Sequence, residues 1–368
     1  MASRRKFIKA SGVAGATGLT GLAGCMGAMG GGSTTVSILT WTGYGDVQDA
    51  IESELDGTSL DISVTNGSAR MFSTMNSGGA SEYDIVIPNN EYVPRMMEAG
   101  IAAPMPQDVV SNYENLFPRF KQASESQFAS DGEIYGLPIR FGWYTYGFDS
   151  SVLPEDHTQS FDVLFSESYE GTDLSGKISM YDGYYKSMMV TALHLGYRDA
   201  FEGSEITLSD EQISEVETAL TEQKSNVLGY VTDSQALTQS FQQESAAVAY
   251  TNRTNILNVQ NNGIDTMRVA DPEQPELTWF EGAVVSSESS NQEAAWEVLN
   301  QYISPEIGAQ LAEARLIAST CQAAQENIGG EYEDRLVIDP SRLEGMIPFK
   351  PAAKNDAWVE AWQRVQAA

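Results

Sequence analysis

Short apolar strand patterns alternate with helical patterns along nearly the whole chain, and that alternation points to an α/β fold. Residues 36–40 read as a strand, 47–55 as a helix closed by Gly57, and 60–65 as a second strand. Residues 70–77 read as a helix, 83–88 as a buried strand and 93–99 as a short helix. Further on, 176–180 predicts a strand, and 184–195 a helix with Asp182 as its cap and Gly196 at its close. An acidic amphipathic helix is expected over 208–224, capped by Ser209, then a helix over 234–243 and a strand over 246–250. Residues 277–285 form another extended run. Ser290 and Glu293 have capping-box spacing ahead of a helix over 294–302, and Ser304-Pro305-Glu306 opens the next. An aromatic helix over 357–365 ends the chain. The extended run from Gly142 to Asp149 reads as chain leaving one domain for another.

Trp41, Thr42, Gly43, Tyr44, Gly45 and Asp46 form the turn between the first strand and the first helix. Ligands bind at that edge of open α/β sheets. Two amphipathic rings beside a carboxylate suit an organic cation. The plainer alternative makes Trp41 and Tyr44 core residues and Asp46 a helix cap.

The chain carries 51 acidic and 21 basic residues, a net charge of −30. The acids are spread along the chain and form no tail, so the surface repels itself at low salt. Such a surface fits a high-salt habitat, where screening shortens to about 3 Å near 1 M. It also argues against nucleic acid as a partner. The only cysteines, Cys25 and Cys321, exclude a disulfide framework and a cysteine-based zinc site. His157 and His194 lie far apart, and His194 reads as a dipole partner at a helix end. No metal-ligand spacing, nucleophile–base pair or phosphate loop stands out, so neither a cofactor nor catalysis is expected.

The first residues are an address. Arg4-Arg5 in Ser-Arg-Arg-Lys-Phe-Ile-Lys make a twin-arginine pattern. A Gly- and Ala-rich stretch follows, too short and glycine-rich for a good membrane span, and ends in Leu22-Ala23-Gly24-Cys25. This is similar to a lipobox, so residues 1–25 are expected to be a twin-arginine signal with Cys25 as the lipidated residue. Residues 26–34 read as a flexible tether.

Taken in order, the motifs of the body resemble the spermidine/putrescine-binding family of ABC-importer solute-binding proteins. They are Trp41-Thr42 with Tyr44, the run from Tyr83 to Pro88, and Tyr135-Gly136-Leu137-Pro138. Tyr169-Glu170-Gly171, Ala247-Val248-Ala249-Tyr250 and Thr278-Trp279-Phe280-Glu281 follow, then the helix around Trp296 and Ser304-Pro305-Glu306. The resemblance implies a type II periplasmic binding protein fold, two lobes joined by crossing strands. Lobe one would take 35–140 and 279–317, and lobe two 141–278 and 318–368. The cleft between them would close by a hinge on the ligand.

The same resemblance implies an aromatic box of Trp41, Tyr44, Tyr250 and Trp279, with Glu281 as the principal carboxylate for a ligand amine. Thr42 and Asn89 would add polar contacts, and Glu91 would stand where the family places a tyrosine. Asp182 remains from the family's acidic turn, but its neighbours there are Gly183 and Lys186. A lysine facing a second ammonium is repulsive. With Lys186, the cations Arg140, Arg253 and Lys350 are possible anion contacts, Arg through its bidentate fork. The implied ligand is a polyamine or related amino compound, or else a zwitterion such as a γ-amino acid or amino-phosphonate, or another small solute. The implied role is a lipid-anchored, extracytoplasmic monomer that hands its ligand to a permease and ATPase, or a sensory binding protein. With its acidity, the source implied is a halophilic archaeon.

Overall fold

A computed structural model describes Ser33–Ala368, one compact body. The expected signal with Cys25, and all but the last two residues of the expected tether, lie outside the described residues.

Eight strands carry the architecture: β1 (Thr34–Thr40), β2 (Thr58–Val64), β3 (Ile85–Val86), β4 (Leu137–Asp149), β5 (Ile178–Tyr181), β6 (Val227–Val231), β7 (Val248–Asn252) and β8 (Leu277–Val285). They lie in one sheet in the order β6-β5-β7-β4-β8-β3-β1-β2, with three shorter strands paired to β4 and β8. β1 runs parallel to β2 and β3, and β5 runs parallel to β6 and β7. β4 and β8 run antiparallel to each other and to β7 and β3, respectively. Two parallel blocks are thus joined by a crossing antiparallel pair. Both crossing strands are buried almost throughout, and their polar residues Arg140, Thr145, Thr278 and Glu281 are buried with the rest.

The local signals hold unevenly. Ser209 and Gln212 close a capping box at the helix Asp210–Lys224, and Ser304 accepts from the Ile307 N–H at Pro305–Arg315. Two expected caps do not form. The helix Gln292–Tyr302 follows Asn291 rather than Ser290, with no side-chain cap. The helix Tyr184–His194 follows Gly183, and Asp182 leaves its carboxylate exposed. Asp46 caps no helix either, because Arg315 takes its carboxylate at 2.6 and 3.2 Å. His194 does sit in the last turn of its helix, where Nδ1 lies 2.6 Å from Asp162 and the ring stacks on Phe165.

Apolar side chains gather into two large clusters and a smaller third. One spans the block of β1, β2 and β3, and the other the block of β5 to β7. Phe280 faces the first cluster and Trp279 the second, so adjacent residues of β8 serve opposite cores. Residues of 318–346 join the first cluster, including Ala318, Cys321 and Leu343, whereas Trp358 and Trp362 join the second. The C-terminal segment expected to go with lobe two therefore contributes to both. No helix of the described residues is long and apolar enough to cross a membrane.

Candidate ligand-binding site

Side chains alternate faces along a strand. On β4 this puts Arg140, Gly142 and Tyr144 on one face, and β8 adds Leu277 and Trp279 opposite them, with Glu281 just past a register shift. Gly142 is needed there. A Cβ at 142 would stand 2.6 Å from the Trp279 ring, so the indole lies directly on the bare backbone.

Glu281 is 3% exposed and fully engaged. Arg140, 1% exposed, grips it with Nε donating to Oε2 at 2.8 Å and Nη2 to Oε1 at 3.0 Å. The Tyr44 hydroxyl donates to the same Oε2 at 2.5 Å, and the guanidinium lies 4.2 Å over the Tyr44 ring. Burial alone would lower the Arg140 pKa, but Glu281 and Tyr44 outweigh it and hold the guanidinium charged. Burial and then Glu281 push the Tyr44 phenol well above its ordinary value, so it stays a donor. Gly43 makes this approach possible. Its φ is 106°, and a Cβ there would stand 3.3 Å from Arg140 Nη1 and 2.7 Å from Arg315. The carboxylate that sequence assigns to a ligand amine is thus paired with a cation of the chain itself.

A second cation occupies the other end. The Lys186 ammonium lies 5.4–5.8 Å from the ring centres of Phe349, Tyr181, Tyr144 and Tyr185. Four rings around one ammonium form an aromatic cage. Among the described residues no carboxylate pairs with Lys186 within 4.0 Å. The Lys186 charge still acts on Glu91, from the first block. Burial pushes the Glu91 carboxyl up, and Lys186 pulls it back. Glu91 is partly exposed as a residue, but its Oε2 is enclosed and without a partner. The enclosed atom is the one that matters for a ligand, because a desolvated carboxylate oxygen needs a donor.

The remaining candidates scatter. Asn89 bridges the backbone of Glu281 and sits beside Glu91. Trp41 is half-buried and Thr42 exposed, while Tyr250 and Trp279 are buried in the second cluster. Their Trp41 Nε1, Trp279 Nε1 and Tyr250 hydroxyl are buried and unpartnered among the described residues. Lys350 donates its ammonium to the Phe201 carbonyl at 2.6 Å, and Arg253 lies over Trp143 on the opposite face of β4. The four possible anion contacts therefore sit in four separate environments. Cavities of about 630, 310 and 510 Å³ occur elsewhere, none lined by Trp41, Tyr44, Trp279 or Glu281. Sequence reasoning missed the cage. Tyr144 could have been found from its two-residue offset to Gly142, which puts it on the Trp279 face. Tyr181 and Tyr185 flank Asp182 in the same turn as Lys186, and that clustering of rings beside a cation is the local signal for the cage.

Two parallel blocks, strands crossing between them and charged, aromatic side chains from both blocks facing one another define a protein that captures a small solute. The family described as bacterial extracellular solute-binding protein matches residues 35–334, and the chain belongs to it. It is a solute-binding protein and not an enzyme. It is 20% identical over 340 residues to the spermidine/putrescine-binding periplasmic protein of Escherichia coli, covering 91% of this chain and 92% of that one. Its fold matches a spermidine/putrescine ABC transporter substrate-binding protein from Streptococcus pneumoniae, with TM-score 0.75 and 18% identity over 91% of this chain and 99% of that one. It also matches a periplasmic binding protein from A. tumefaciens in complex with glucopine, with TM-score 0.67 and 15% identity over 90% of this chain and 100% of that one. The fold is the α/β periplasmic binding protein fold expected from the sequence.

Proposed function

We propose that this chain is the lipid-anchored, extracytoplasmic binding subunit of an ABC importer for a small zwitterionic solute in the amino-acid class. The bidentate hold of Arg140 on Glu281 carries this reading, because it fills the ligand-amine position with a guanidinium. Lys186 adds a cation where a second ammonium would otherwise sit. A dication entering this cleft finds Glu281 already neutralised by Arg140 and meets the charge of Lys186. A zwitterion meets complementary ones, its anionic group at Lys186 and its amino group at Glu91. The two blocks act as lobes that close on the solute, and the closed form delivers it to a permease. The names of the relatives support an amine-bearing ligand, and a neighbour in complex with glucopine shows the fold serving other solutes.

Calorimetric titration of the domain after Cys25, in multimolar salt, tests this with γ-aminobutyrate, putrescine and spermidine. Saturable heat with the zwitterion alone is the expected result. Micromolar binding of a polyamine would overturn the zwitterion reading and return the site to the ligand class of the named relatives. The anchor rests on Leu22-Ala23-Gly24-Cys25. Cys25→Ser is expected to move the protein from the membrane fraction to the soluble one. Retention of that variant in the membrane fraction would end the lipobox reading.

A further inference from the structure

Trp143 lies on the face of β4 opposite Gly142 and Tyr144, away from the cage. It lines a cavity of about 630 Å³ with Arg253, Arg335 and Arg342. The Arg253 and Arg342 guanidiniums lie 4.7 and 5.3 Å from the centre of its ring. Three arginines in one cavity is a high density for a chain with 51 acidic residues against 21 basic ones.

Only one of these arginines is held by carboxylates among the described residues. Arg342 pairs with Asp271 and Glu276, both at 3.0 Å. Among the described residues neither Arg253 nor Arg335 has a carboxylate within 4.0 Å. Arg253 donates to the Arg335 carbonyl at 2.7 Å and Arg335 to the Asn261 side chain at 2.6 Å, both neutral acceptors. Asp265, Asp334 and Asp339 also line the cavity. Asp339 is turned to the Ser341 N–H at 2.9 Å and the Ser341 hydroxyl at 2.7 Å. Trp143 is 2% exposed, and its Nε1, like Arg342 Nε, is buried with no partner among the described residues. Burial first, then repulsion from Arg342, pushes the Arg253 guanidinium down to about 10, so the nearby acids do not offset its surroundings. Leu257, Val269 and Val337 supply an apolar part of the lining.

We infer that this cavity is a second binding site, separate from the cleft, for a small organic oxyanion: a carboxylate on an apolar body. The guanidiniums of Arg253 and Arg335 take the oxyanion, which two-pronged donors suit, and Trp143 packs against the apolar body. An inorganic anion satisfies only the first half of the site.

Benzoate and inorganic phosphate, titrated separately at constant ionic strength in chloride, test the proposal by calorimetry and tryptophan fluorescence. Saturable benzoate binding is expected, weakened at least tenfold in Arg335→Gln and in Arg253→Gln and unchanged in Lys186→Gln. Trp143→Phe should abolish the fluorescence response while the heat remains. Arg335 is partly exposed, so that variant keeps the test open if Arg253→Gln does not fold. The proposal is overturned by absence of saturable benzoate heat, by equal affinity in both arginine variants, or by loss of binding in Lys186→Gln, which would put benzoate in the cleft. Phosphate binding without benzoate binding would overturn the ligand class.

Discussion

Arg140→Leu is expected to destabilise the fold by about 3–5 kcal/mol, the usual loss when one partner of a buried ion pair is removed. Glu281 would stay 3% exposed with only the Tyr44 hydroxyl as a side-chain donor. The loss is mostly the uncompensated carboxylate, because a dry pair by itself contributes little net stability against an apolar replacement. The double variant Arg140→Leu with Glu281→Leu should therefore recover most of the loss. Arg140→Lys should fall between, since an ammonium keeps the charge but cannot bridge both oxygens. Denaturant titration at fixed high salt measures all three. A loss under about 1 kcal/mol in the single variant, in the range of exposed pairs, would show that the pair is wet and not a buried one. The same substitution makes a functional forecast. Freed Glu281 becomes an acceptor for a ligand ammonium, so putrescine should raise the melting temperature of Arg140→Leu more than that of the wild type. Equal shifts would mean that Arg140 does not decide against polyamines.

This pair shows where sequence runs out. The strands were legible because period-two and unbroken apolar patterns are local, and residues 277–285 coincide with β8. The cap at Ser209 was legible because its partner, Gln212, is three residues on. The caps expected at Asp182 and Ser290 do not form because each helix takes the next residue, Gly183 or Asn291, as its N-cap, which leaves the expected side chain one position too early. The family resemblance implies Glu281 as a ligand carboxylate, and Arg140 reads from sequence as a possible anion contact. Their union, across 141 positions, is set by the antiparallel register of β4 and β8, which no local pattern encodes. The cage is similar. Tyr144, the turn with Tyr181 and Tyr185, and Phe349 come from three places in the chain and converge only after the crossing strands are laid down.

Lys186→Gln is expected to weaken binding of the zwitterionic solute by roughly 2 kcal/mol or more, the lower end of what truncating one member of a desolvated charge pair does. That is about a thirtyfold rise in Kd. Stability should change far less, because Lys186 has no carboxylate within 4.0 Å among the described residues and its ring contacts contribute about 0.5–1 kcal/mol at a partly exposed position. Binding and folding are thus separable at this residue, unlike at Arg140. The charge reversal Lys186→Glu sharpens the test. It sets two carboxylates, at 186 and Glu91, before an aromatic cage, which is an arrangement for ammonium ends. Putrescine should then bind and the zwitterion should not. Calorimetry of the two ligands on three proteins gives the pattern. If Lys186→Gln keeps wild-type affinity for the zwitterion, the lysine faces no ligand anion. Selectivity would then have to arise at Arg140 alone, where the unpartnered Nη1 is the remaining donor.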